Sequence, residues 1–130
     1  MALELTVIDA TVPIDILRGS EPAIAWVRSL DRRLVASEVT RVELLRGLRS
    51  RERGPAERLF AGLRWVGLTE PIARRAGELG RTWRRSHRGV ATIDLIIAAT
   101  ALELDAELAT ANIRHFPMFP GLEPPYGSAP

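Results

Sequence analysis

The sequence predicts one α/β domain over residues 1–130, with a parallel sheet of about five strands flanked by helices. Three observations predict it. Short apolar runs of strand length alternate with longer segments of helical periodicity. Those runs are continuously apolar rather than alternating, as expected of strands covered on both faces. The chain's 130 residues, 46% hydrophobic and 26% charged, make up one ordinary globular domain, and no repeat, low-complexity tract or linker divides them.

The first strand is Leu5 to Ile8, an apolar run that ends on Asp9. Helices follow over 12–18 and 22–30, with Pro13 and Pro22 near their starts, where a missing N–H removes no hydrogen bond. Leu34-Val35-Ala36 is a second strand. Val42, Leu44, Leu45 and Leu48 then recur at helical spacing, and Thr40 stands before them as a cap. Gly54-Pro55 opens another helix running to Leu63, and Trp65 to Leu68 reads as a third strand. Residues 70–86 form an arginine-studded helix, and Ile93 to Leu104 a helix apolar enough to be buried on most sides. Glu107 to Thr110 gives a fourth strand. The tail from Pro117 to Leu122 offers one more, short strand.

Composition excludes several chemistries. With no cysteine there is no disulfide scaffold, thiolate zinc site or cysteine nucleophile. No apolar run reaches the roughly 20 residues of a membrane span, and the start carries acids where a signal peptide carries bases. The expectation is a soluble, cytoplasmic protein with no membrane partner. All 18 basic residues are Arg, so the sequence pI of about 10.3 reflects the lack of groups titrating at high pH, and the net charge is only +2. The charge is unevenly spread. Residues 1–17 hold Glu4, Asp9 and Asp15 and no base, and 89–113 hold Asp94, Glu103, Asp105 and Glu107. Between them, 46–58 carries five Arg against two Glu, and 74–88 six Arg against one Glu. Acidic ends and a basic middle suit a cation site beside surfaces that attract phosphate, although arginine-rich helices are as often simply solvated.

In an open parallel sheet the functional crevice lies beyond the carboxyl ends of the strands. Asp9 follows the first strand, Glu43 lies in the first turn of the helix after the second, Asp94 heads the apolar helix, and Asn112 follows the fourth strand by two residues. Each has a structural reading as well. Asp9 can form an Asx-turn, Glu43 can complete a capping box with Thr40, Asp94 can cap its helix, and Asn112 is an ordinary loop residue. Together, three carboxylates at one crevice repel each other unless a cation sits among them. Oxygen ligands without a His or Cys cluster select Mg²⁺ or Mn²⁺ over zinc. His87 and His115 lack paired zinc spacing and read as surface or local hydrogen-bonding residues.

At these residues the chain resembles a known family. Val7-Ile8-Asp9-Ala10-Thr11, the stretch Ser37 to Gly47, Asp94 to Ala101, and Ala109 to Phe116 look like the four signature blocks of PIN-domain ribonucleases. Within that family the chain is most similar to VapC toxins of bacterial toxin–antitoxin pairs. The resemblance spans nearly the whole chain. It implies a Rossmann-like sheet and a Mg²⁺- or Mn²⁺-dependent endoribonuclease, in which a metal-activated water attacks the scissile phosphate. It implies Asp9, Glu43 and Asp94 as catalytic acids and metal ligands, with Thr11 supporting them by hydrogen bonding. Asn112 falls where many members have a fourth acid and others, many VapC toxins included, have Asn; the resemblance implies it as a further metal ligand, directly or through water, with the site's charge lowered by one. A homodimer and a cognate antitoxin are implied as partners beside the RNA substrate. Arg46, Arg84, Arg85 and Arg88 are candidates to hold the RNA backbone, since planar guanidinium groups match phosphate.

Three other readings compete. A phospho-accepting receiver also clusters acids, but it needs a lysine, and this chain has none. A PIN-like fold kept as a non-catalytic RNA- or protein-binding module would gain nothing from a complete Asp9/Glu43/Asp94 set. A nuclease acting on DNA would use the same acids and is separable only by substrate tests.

Overall fold

The computed structural model describes residues 4–83 and 90–127. The chain runs β1 (Leu5–Ile8), α1 (Thr11–Leu17), α2 (Glu21–Ser29), β2 (Arg33–Ser37), α3 (Glu38–Gly47), α4 (Arg53–Ala61), β3 (Arg64–Val66), α5 (Glu70–Trp83), α6 (Thr92–Glu103) and β4 (Glu107–Ala109). Short 3-10 turns occupy Ser50–Glu52 and Ile113–His115.

Four strands form one sheet in the order β3-β2-β1-β4, and every pairing is parallel. β1 lies in the middle, with Val7 opposite both Val35 of β2 and Leu108 of β4. Successive strand side chains point to opposite faces, and the core divides accordingly. Val7, Val35 and Leu108 pack with Ile97, Ala98 and Ala101 of α6 on one face. Ile8, Ala36 and Ala109 pack with Val12 and the partly buried Trp26 on the other. Burial on both faces is why these strands read as continuous apolar runs. On the far side of α6, Ala99 packs against Ile72 and Ala76 of α5, which confirms α6 as a helix enclosed on most sides. A third cluster, Leu44, Ala56 and Phe60, ties α3 to α4 and to Ile14 and Leu17 of α1.

Two expectations need correction. Thr40 does not cap α3. Ser37, the last residue of β2, does so by accepting the Val39 N–H at 3.2 Å, and the helix begins directly at Glu38. Thr40 therefore falls inside α3, fully buried, its Oγ1 without a hydrogen-bond partner among the described residues. The tail from Pro117 to Leu122 forms turns instead of a strand: Phe119 N–H bonds to Phe116 O and Leu122 N–H to Phe119 O, and Gly121 takes a positive φ of 77°. Pro117 and Pro120 lack the N–H groups a ladder needs, so among the described residues the sheet stops at four strands. Among the described residues, no helix is long and apolar enough to cross a membrane.

Candidate active site at the carboxyl edge of the sheet

Asp9 occupies the position just past the carboxyl end of the central strand and is 5% exposed. Its backbone N–H extends the ladder to Ala109 O at 3.3 Å, so the main chain fixes where the carboxylate starts. Three donors then surround it. Thr11 donates to Oδ1 through both its backbone N–H, at 3.0 Å, and its hydroxyl. Thr110, at the end of β4, donates its hydroxyl to Oδ2 at 2.5 Å. These two threonines are themselves held, since Thr11 Oγ1 accepts the Ala111 N–H at 3.0 Å and Thr110 Oγ1 the Asn112 N–H at 2.9 Å. The Asx-turn reading of Asp9 is thus real, but it uses only one of the two carboxylate oxygens.

Asp94 is in the first turn of α6, whose N-cap is Ala91. It does not cap the helix in the ordinary sense, because it sits inside the helix and reaches back to accept the Ala91 backbone N–H. Its Oδ2 lies 3.1 Å from Nδ1 of His115. With the proton on Nδ1, His115 donates to Asp94. Asn112 Nδ2, 3.5 Å from that same nitrogen, is then a neighbour of the imidazole and not its partner. Glu43 is on the second turn of α3, half-buried, and has no hydrogen bond or ion pair among the described residues. The capping-box role offered for it lapses, since Thr40 is not the cap.

The three acids sense one another. Burial pushes the Asp9 carboxyl above its usual range, hydrogen bonds from Thr11 and Thr110 pull it back, and the Asp94 charge adds to the rise. Glu43 is raised by burial, then by the charges of Asp94 and Asp9, with Arg46 and His115 opposing. Asp94 is raised by burial, partly offset by His115 and the Ala91 N–H. Carboxylates that face each other in a half-buried setting are stabilised by a cation or a proton. As placed, no three His, Cys, Asp or Glu side chains among the described residues form a ready-made cage. The donor set nonetheless fits a hard divalent ion, because it is made of carboxylate oxygens with an amide beside them. No arginine forms a salt bridge with any of the three acids among the described residues.

Asp9, Thr11, Asp94 and Asn112 therefore meet as the sequence predicted, and Glu43 joins them through its field. Arg46 is exposed on α3 and lies close enough to Glu43 to lower its pKa. Arg84, Arg85, Arg88 and His87 lie outside the described residues. Two site residues escaped sequence reasoning. Thr110 acts on Asp9 across 101 positions, and its only sequence signal is a hydroxyl at the end of the strand that neighbours β1. His115 was read as a local hydrogen-bonding residue, which is correct in kind, but its partner is Asp94.

A parallel sheet with its acids gathered at the carboxyl edge defines an α/β domain that works at that edge, and the chain belongs to the PIN domain family, whose model matches residues 6–119. Over 125 residues it is 46% identical to Ribonuclease VapC19 of Mycobacterium tuberculosis, covering 94% of this chain and 100% of that protein. Ribonuclease VapC10 of the same organism is 44% identical over 124 residues, covering 94% and 93%. Among solved structures, VapBC-1 from nontypeable Haemophilus influenzae superposes with a TM-score of 0.71 at 27% identity, covering 86% of this chain and 90% of that one.

Proposed function

We propose that this protein is the toxin of a toxin–antitoxin module, an endoribonuclease that hydrolyses RNA phosphodiester bonds with Mg²⁺ or Mn²⁺ and is neutralised by a cognate antitoxin. The observation that carries this reading is the anchored Asp9. It is held by two threonines while the Asp94 charge raises its pKa, and Asp94 and Asp9 together raise that of Glu43, so that the acids oppose one another's ionisation. Ribonucleases at 46% and 44% identity supply the activity, and the VapBC-1 neighbour supplies the antitoxin.

Asp9 and Asp94 would hold the ion, with Glu43 and Asn112 serving directly or through water. A bound divalent ion would supply Lewis-acid polarisation of the phosphate and a water of lowered pKa. Thr11 and Thr110 fix both Asp9 oxygens, so the carboxylate need not reorganise when substrate arrives. His115 orients Asp94 in the same way. Arg46, exposed and near Glu43, would hold the RNA backbone. Val42 and Leu45, 62% and 47% exposed on α3, are the apolar surface that a homodimer would cover. A cytoplasmic location follows from this reading, where RNA and antitoxin are found together.

The test is cleavage of a mixed RNA pool by purified protein with Mn²⁺ or Mg²⁺, with EDTA, and with single-stranded DNA as a control. Metal-dependent RNA cleavage supports the reading. Cleavage of DNA alone moves the protein to another substrate class, and a protein that binds RNA without cutting it is the non-catalytic module.

A further inference from the structure

Glu43 belongs to two places. Besides facing Asp9 and Asp94, it lines a cavity of about 110 Å³ between α1 and α3, bounded on its apolar side by Ile14, Leu17 and Leu48. Arg18 and Glu52 line it as well. The Arg18 guanidinium has no hydrogen-bond or ion-pair partner among the described residues, so its donors are uncommitted. The cavity thus combines aliphatic walls with both donors and acceptors. Its volume suits one heterocyclic ring system.

Gly47 lines the same cavity on the last turn of α3. It has no positive φ, and a Cβ built there meets nothing within 4 Å. Neither backbone conformation nor crowding calls for glycine at this position, and glycine is a poor helix former. What it leaves is room at the cavity.

We propose that this cavity is a base-recognition pocket, taking an unstacked guanine of single-stranded RNA next to the scissile phosphate. The inference rests on the ribonuclease reading. Guanine offers two acceptors, N7 and O6, that an arginine fork meets in bidentate fashion, and it offers N–H donors that Glu52 accepts through the carboxylate oxygen not taken by the Arg49 N–H at 2.8 Å. Leu17 and Leu48 supply the apolar faces. Because Glu43 is shared, a base seated here has its phosphate beside the acidic cluster. Proteins read unpaired RNA by splaying bases in this way. Exposed arginines at 46, 51 and 53 lie on the same stretch of chain and suit the continuing backbone.

The test uses full-length protein carrying Asp94→Asn, titrated separately with GMP, AMP, CMP and UMP while the methyl signals of Ile14, Leu17 and Leu48 are followed by NMR. GMP is expected to move these signals at the lowest concentration. Arg18→Ala should weaken GMP by about tenfold or more, the scale of one lost bidentate base contact. Gly47→Leu should abolish the response while melting at or above the parent temperature, which shows that it folds. No methyl response, or an equal response to all four nucleotides, overturns the pocket. A second arm sequences the ends of products from a randomised single-stranded RNA cut in Mn²⁺. Guanine enriched beside the cut, and a flat profile for Arg18→Ala, supports the pocket. A flat profile for unaltered protein overturns it and leaves the ribonuclease reading standing, whereas no cleavage at all overturns both. If Gly47→Leu keeps the parental profile but loses its antitoxin, the cavity belongs to a protein side chain and the proposal fails.

Discussion

The two ends of the central sheet treat charge in opposite ways. At the amino end, Arg32 lies between Glu4, at 3.0 Å, and Glu107, at 2.5 Å, and so pins the starts of β1 and β4 together. At the carboxyl end, Asp9, Glu43 and Asp94 converge with no arginine bonded to any of them among the described residues, and each has its pKa raised. The same sheet could have matched acid with base at both ends. A protein that leaves one end unmatched spends stability there for something other than the fold. The difference teaches where to look for function: in the charge that the fold does not neutralise.

The comparison breaks most severely at Asp94. Asp94→Asn is expected to lower RNA cleavage on the order of 10³-fold, the scale of removing a group that stabilises transition-state charge. The same change should leave the metal-free melting temperature equal or higher, because the amide still accepts the Ala91 N–H and one repelling charge is gone. Activity assays beside calorimetry check both halves. Loss of activity with a collapsed melting temperature would assign Asp94 to the fold.

A divalent ion should stabilise the carboxyl end alone. At about 100 times its Kd, Mn²⁺ is expected to add about 2.7 kcal/mol, a rise of roughly 8 °C for a domain of this size. Arg32→Ala should lower the baseline melting temperature and leave this rise intact. If the rise vanished in Arg32→Ala, the two ends would not be independent.

Thr110→Val removes the donor to Asp9 Oδ2. The expected loss is about 2 kcal/mol, as for a buried hydrogen bond to a charged group. Metal affinity should fall about 10–100-fold, as when an outer partner of a ligand is removed. Isothermal titration and chemical denaturation measure the two effects.

The smallest effect is on pH. Groups whose folded pKa lies above the unfolded value bind protons more tightly when folded, so they stabilise at low pH and lose that contribution as pH rises through the folded pKa. Asp9, Glu43 and Asp94 are all of this kind. In EDTA these groups should therefore add stability as pH falls from neutrality through their raised pKa values towards the ordinary carboxylate range. Asp94→Asn should flatten that slope.

Much of this was legible in the sequence. Continuous apolar runs ending in polar residues placed the strands, and the rule that parallel sheets work at their carboxyl ends placed Asp9, Asp94 and Asn112. What was not legible depended on contacts between distant segments. The Thr110 hydroxyl reaches Asp9 only because β4 pairs with β1. Thr40 and Ser37 are both competent caps, and the choice falls to Ser37 because β2 runs straight into α3 with no loop between them. The tail looked apolar enough for a strand, but Pro117 and Pro120 withhold the donors that a strand would need.

The central claim is that the unmatched acids at the carboxyl edge bind a divalent cation. Its most direct test is Mn²⁺ titration of the metal-free protein by calorimetry, with Asp94→Asn and Arg32→Ala in parallel. Saturable binding that is lost in Asp94→Asn and retained in Arg32→Ala is the predicted result. No binding to the unaltered protein, or equal binding by Asp94→Asn, would contradict it.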